Sequence, residues 1–258
     1  MELVDLLSLG SGVLVGLVLG LIGGGGSILA VPLMVYVVGV DDPHIAIGTS
    51  AAAVGATAFA NMIHHWRLGN VLWGCALTFA IAGVVGATAG STLGKITDGD
   101  ALLGLFGLAM IAVGLAMLRK RKGGEKVGPL FNKRTAPRLA GSGALVGGLS
   151  GFFGIGGGFL VVPGLVSSTA MPILNAVGTS LVSVSAFGAT TAANYALAGW
   201  VDWRLAGVFL VGGVIGGLGG ALLAKRLGEG KETLKRIFSS VVILVGVFVA
   251  IQGALHYL

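Results

Sequence analysis

Gly12-Val-Leu-Val-Gly16-Leu-Val-Leu-Gly20-Leu-Ile-Gly23-Gly24-Gly25-Gly26-Ser27-Ile-Leu-Ala-Val-Pro32 decides how this chain is read, because the stretch occurs twice. Its second copy is Gly143-Ala-Leu-Val-Gly147-Gly-Leu-Ser-Gly151-Phe-Phe-Gly154-Ile-Gly156-Gly157-Gly158-Phe-Leu-Val-Val-Pro163, with matching positions 131 residues apart and no gap. In both copies clustered glycine interrupts a hydrophobic segment. Four glycines in a row do not sustain a lipid-exposed helix, since each costs about 1 kcal/mol of helix propensity relative to Ala. The backbone groups freed by the break need partners inside hydrocarbon, so it persists only where protein buries it or a polar cavity borders it.

The correspondence extends outward. Ala46-Ile-Gly48-Thr49-Ser50 returns as Ala176-Val-Gly178-Thr179-Ser180, at an offset of 130. The same offset joins Gly69-Asn-Val-Leu-Trp73 to Gly199-Trp-Val-Asp-Trp203, and Gly83, Gly86, Gly90 and Lys95 to Gly213, Gly216, Gly220 and Lys225. The chain reads as an internal duplication. Residues 1–118 form a first membrane repeat, 119–138 a basic cytoplasmic linker and 139–258 a second membrane repeat.

Composition supports the membrane assignment. Hydrophobic residues make up 55% of the 258 positions and charged residues only 10%, too few to wet the surface of a soluble domain. The mean hydropathy is +0.98. Glu2 and Asp5 stand where a cleaved leader carries basic residues, so the first apolar stretch is expected to be retained. Cys75 is the single cysteine, which excludes an internal disulfide or a cysteine metal cluster. The net charge of +6 sits mainly in two short loops and reads as positive-inside topology rather than a nucleic-acid surface.

Apolar runs place segments at 3–22 and 27–39 around the first glycine cluster, then at 45–66, 70–94 and 100–118. The second half has 139–153 and 158–169 around its cluster, then 173–198, 203–224 and 237–257. If each broken pair makes one complete crossing, the repeats are parallel and the basic 225–236 stretch falls outside. If each pair enters and returns on one side, the repeats are inverted. The linker, His64-His65-Trp66-Arg67 and the 225–236 stretch then all lie inside, with Asp41-Asp42 and Thr97-Asp98-Gly99-Asp100 outside. Charge favours the inverted arrangement. The expected fold is an all-α polytopic membrane protein, each repeat a glycine-broken helical hairpin plus three transmembrane helices.

Secondary transporters use such breaks: helix ends meet near the midplane and offer unpaired N–H groups to an anion. The candidate substrate-binding set is therefore Gly23, Gly24, Gly25, Gly26 and Ser27 with Gly154, Gly156, Gly157 and Gly158. Thr49, Ser50, Thr179 and Ser180 add hydroxyls, which either bond back to their own helix or face the cavity. Asn194 and Tyr195, with Asn61, are candidates for a polar path. The glycines at four-residue spacing, Gly12/Gly16/Gly20, Gly86/Gly90/Gly94 and Gly212/Gly216/Gly220, read as close helix packing instead. No acidic residue falls in the middle of any span, so a donor-rich neutral cavity suits an anion better than a cation.

Gly154 to Pro163, the paired Gly-Thr-Ser tripeptides and Gly199-Trp-Val-Asp-Trp203 closely resemble the sulfite exporter TauE/SafE family, also called the toluene sulfonate uptake permease family. The resemblance covers roughly residues 10–255 and appears in both halves. It implies a multi-pass permease of a prokaryotic plasma or inner membrane, moving a small sulfur-containing or organic anion of the sulfite, sulfonate or sulfoacetate class. The first half departs from the pattern: Ser27 replaces a glycine, Asn70-Val-Leu-Trp73 lacks the counterpart of Asp202, and His64-His65 stand opposite Asn194-Tyr195.

A secondary carrier working by alternating access is thus the leading expectation, with a passive anion channel of the same fold as the alternative. No G-x-x-x-x-G-K-[ST] run is present, so coupling would come from an ion gradient, H⁺ or Na⁺. No cofactor or metal is expected, and a homodimer is left open. An intramembrane enzyme is disfavoured, because Ser150 and Ser167 have no base at helical spacing.

Overall fold

The computed structural model describes residues 2–22, 24–118, 132, 135–226 and 231–255. Gly23, most of the linker and residues 227–230 lie outside them. The described residues form helices and no strand. α1 (Leu3–Ile22) is followed by a return segment that winds as a 3₁₀ helix over Gly24–Leu29, as one α turn, α2, over Ala30–Leu33, and as a π helix over Met34–Val38. α3 (Pro43–Arg67), α4 (Trp73–Ile96) and α5 (Gly99–Leu118) complete the first half. The second half consists of α6 (Ala136–Phe153), α7 (Gly158–Thr169), α8 (Ile173–Ala196), α9 (Trp203–Arg226) and α10 (Lys231–Leu255).

Local chemistry sets these boundaries. α3 starts where the Asp42 carboxylate accepts from the amides of His44 (2.7 Å) and Ile45 (3.4 Å), with Pro43 in the first turn. The ends of α3 and α8 are alike. Gly69 and Gly199 adopt left-handed φ of 73° and 77°, and the amides of Asn70 and Trp200 return to the carbonyls of His65 and Tyr195. α10 begins at Lys231, six residues before the apolar run at 237. Hydropathy marks only the part facing hydrocarbon, and the charged first turn continues the same helix. The first return segment begins at Gly24 rather than at Ser27, because its opening turn is 3₁₀.

Among the described residues, six helices are long and apolar enough to cross a membrane: α1, α3, α4, α5, α8 and α9. The chain is a multi-pass membrane protein. Shorter apolar stretches cover Gly25–Val38, Gly158–Thr169 and Phe238–Ala254.

α1 packs along α9, α4 along α6, α5 along α10, and α3 crosses α8. The glycines at four-residue spacing make the first two contacts. A Cβ on Gly12, Gly16 or Gly20 would strike the carbonyls of Phe209, Gly213 or Gly217 on α9. A Cβ on Gly143, Gly147 or Gly151 would strike those of Phe79, Gly83 or Ala87 on α4. Small residues here replace side-chain packing with backbone contact, the usual solution where lipid removes the hydrophobic drive.

These contacts also order the two ends of the bundle. At one end Arg204 pairs with Asp5 (2.8 Å) and Glu2 (3.5 Å), Pro43 lies against Gly99, and the Asp202 amide meets Thr49. α1 starts at this acidic end, and its return segment leads back to Asp42 at the same end. At the other end Asn175 reaches the Asn70 carbonyl and Trp66 packs on Trp73. α6 runs parallel to α4 from that end, and α7 returns to it before α8. Each broken hairpin therefore opens toward one end, and the two open toward opposite ends.

Candidate functional site

The two glycine clusters have different backbones. Gly154, Gly156 and Gly157 take φ of 67°, 62° and 67°, a left-handed conformation open to glycine at little cost. Gly154 closes α6, with the Ile155 amide donating to Ser150 O (3.3 Å). Gly157 is the N-cap of α7, its carbonyl accepting from Leu160 and Val161. The first amides of α7 thus point into the break, where an unsatisfied donor set and the helix dipole favour negative charge. The first cluster differs, because Gly24, Gly25 and Gly26 are wound into the 3₁₀ turn and show no positive φ. Gly25, Gly26, Ser27, Gly154, Gly156, Gly157 and Gly158 are all buried.

α7 packs against the 3₁₀ segment, which brings the two breaks together. Gly156 sits at the crossing of α3 and α8. A Cβ there would lie 3.3 Å from Val184 and 3.4 Å from Val54, residues near the midpoints of those helices. At the crossing itself Gly188 lies against the backbone of Gly55. Gly154 is pressed on Ile47, and Gly157 on Ser150, whose Oγ would be 2.8 Å from an added Cβ.

Both Gly-Thr-Ser tripeptides serve an interlock between the halves. Thr49 Oγ1 accepts from the Asp202 amide (3.0 Å), and Thr179 Oγ1 accepts from the Leu72 amide (3.0 Å). Each threonine therefore holds the chain just before a helix of the other half. The adjacent glycines allow the approach, because a Cβ on Gly48 would strike Trp200 O, and one on Gly178 would lie 2.8 Å from Asn70 O. Two motifs that are far apart in sequence thus form one contact, made twice.

Ser180 donates to Val177 O (2.7 Å), back into its own helix. Ser50, its counterpart on α3, is fully buried, and its Oγ has no partner. Asn194 donates to Ser91 (2.7 Å) and Thr92 (3.1 Å) on α4, near Lys95, which donates to the Asn194 carbonyl. Tyr195 is fully buried beside Trp200 and His44 toward the acidic end, with its hydroxyl unpartnered. Asn61 donates to Thr57 O and packs against Gly217. The structure thus brings Gly156 to the α3–α8 crossing, with Gly154 against α3, Gly157 beside Ser150 and Phe187, and the Gly24–Leu29 turn packed on α7 and α1. Asn194 and Tyr195 lie at one end, and Thr49 and Thr179 are engaged between the halves.

Two residues outside the candidate set join the second break. Ser150 and Ser183 are fully buried, and their hydroxyls have no partner. Ser150 stands four residues before Gly154, where the first half has Leu19, and Ser183 occupies the place of Ala53. The sequence signal for both was a polar-for-apolar difference between aligned halves. Asp5, paired with Arg204 at the acidic end, is the buried charged side chain among the described residues. The centre of the molecule therefore offers neutral donors.

The family model described as Sulfite exporter TauE/SafE matches residues 8–249. A "Probable membrane transporter protein" of Xylella fastidiosa (strain 9a5c) is 50% identical over 249 residues, covering 95% of this chain and 94% of the relative. The "Probable membrane transporter protein YunE" of Bacillus subtilis (strain 168) is 27% identical, covering 94% of this chain and 96% of its own length. A "Probable membrane transporter protein" of Haemophilus influenzae is 26% identical over 261 residues, covering 94% of this chain and 96% of its own length. No solved structure gives a significant match.

Proposed function

The chain belongs to the sulfite exporter TauE/SafE family, and from that premise we propose that it is a secondary transporter of a small sulfur-containing or organic anion, of the sulfite, sulfonate or sulfoacetate class. The observation that carries the proposal is the second break, where three left-handed glycines aim the first amides of a buried helix into a neutral interior at the α3–α8 crossing. An oxyanion leaving water needs donors that cost no reorganisation. Backbone N–H groups at a helix start provide them together with a partial positive charge.

In this reading the donors come from Gly23–Ser27 and Gly154–Gly158, with Ser50 and Ser180 adding hydroxyls and the organic portion of the anion meeting Val54 and Val184. Thr49 and Thr179 hold the frame that aligns the two halves. Asn194 and Tyr195 border the route to the acidic end. The packing supports alternating access in this reading: the α1–α9 and α4–α6 pairs, each held by backbone contact, would move as units about the Gly55–Gly188 crossing. Coupling would use backbone carbonyls for Na⁺ or the carboxylates of the acidic end for H⁺, since the described residues place no carboxylate at the centre.

Flux of labelled sulfite and methanesulfonate into proteoliposomes tests the proposal. Saturable uptake with counterflow of the unlabelled anion is expected. Absence of flux overturns it, and conductance without counterflow replaces the carrier with a channel.

A further inference from the structure

The two halves are related in sequence, but the buried hydroxyls around the breaks are not evenly shared. Ser50 on α3, Ser150 on α6 and Ser183 on α8 are each fully buried with an unpartnered Oγ. An unpaired buried hydroxyl costs roughly 1–3 kcal/mol, so three in one region call for an explanation.

All three border the second break. Ser50 lies on the α3 face between Ile47 and Val54, at i+3 and i−4, and those two residues touch Gly154 and Gly156. Ser150 Oγ faces Gly157, the N-cap of α7. Ser183 precedes Val184 and lies one turn before Phe187, which contact Gly156 and Gly157 respectively. The positions matching them around the first break are Ser180, Leu19 and Ala53. Ser180 is already bonded to Val177 O, and the other two have no hydroxyl.

We propose that the anion site is one-sided: the oxyanion is bound by the amides of Gly156, Gly157 and Gly158, leading into α7, together with the hydroxyls of Ser50, Ser150 and Ser183, and the first break serves as its packing counterpart. This rests on the anion-transport reading above and narrows its two-sided donor set to the second break, because Ser180 is already bonded within its own helix. Ser150 and Ser183 become specificity-determining residues. They donate to oxygens of a compact tetrahedral or pyramidal head group, and the first break closes over it with the 3₁₀ turn.

The test uses the full chain in proteoliposomes, with sulfite and methanesulfonate as probes and the same probes in thermal-shift measurements in detergent. Ser150→Ala and Ser183→Ala should each raise KM about 10-fold or more, with maximal flux changed less than about 2-fold, the effect of removing one donor to a charged group. The empty variants should melt at the wild-type temperature or above it, because an unpaired buried hydroxyl has been removed, while the probe-induced shift shrinks. Ser185→Ala, which removes a hydroxyl bonded to Leu181 O on its own helix, should leave KM unchanged. Unchanged KM and unchanged probe shift in both Ser150→Ala and Ser183→Ala overturn the assignment. So does a KM increase in Ser180→Ala equal to that in Ser150→Ala, which would make the site two-sided. Wild-type protein that moves neither probe overturns the transport reading itself, and this assignment with it.

Discussion

Thr49 and Thr179 show how much one side chain can be asked to hold. Each accepts a single amide from the opposite half, at 3.0 Å, in front of a membrane helix. Thr→Val at either site keeps the shape and removes the acceptor. The expected loss is about 1–2 kcal/mol, read as a lower melting temperature in detergent, and Thr→Ser should recover most of it. Gly157 makes a second case. Gly157→Ala should cost more than the roughly 1–2 kcal/mol of a left-handed residue alone, because its Cβ also meets Ser150. Gly39→Ala gives the comparison: its φ is 83° with open space around it, so only the backbone cost applies.

Among the elements, the tightest contacts are the α1–α9 and α4–α6 pairs. A methyl on Gly16 or Gly147 must push apart two backbones. Gly16→Ala and Gly147→Ala should therefore cost about 2–3 kcal/mol each, visible as early melting or loss of the folded peak on size exclusion. Gly219 lies on α9 too, with nothing within 4 Å. Gly219→Ala should be neutral or stabilising by up to about 1 kcal/mol. The spacing of these glycines was enough to read them as packing residues, because a four-residue period marks one helix face. The difference between the breaks was hidden. Gly24–Gly26 and Gly154, Gly156 and Gly157 are the same residue type, and only their neighbours decide which enter the left-handed region. The partners of Thr49 and Thr179 were hidden for another reason. They lie 153 and 107 residues away, and no local pattern reports a contact at that separation.

For the molecule as a whole, hairpins opening toward opposite ends set a topology that labelling can check. Cys75 is buried and leaves the surface free for introduced thiols. With a membrane-impermeant maleimide on intact cells, Asp42→Cys and Asp98→Cys should react from outside. Arg67→Cys and Asn132→Cys should react only after permeabilisation. Reaction of Asp42→Cys and Arg67→Cys from the same side would remove α3 as a crossing and the inverted arrangement with it. The cross-half interlock also bears on how the protein is made. During synthesis the amide of Leu72 is in place 107 residues before its acceptor Thr179 exists, and α1 waits for α9 with its glycine face uncovered. The early half is thus made before the main helix partners of α1, α4 and α5 exist. Most of the described helix contacts join the two halves, and two separately translated halves, cut within 119–131, are expected to reassemble in the bilayer.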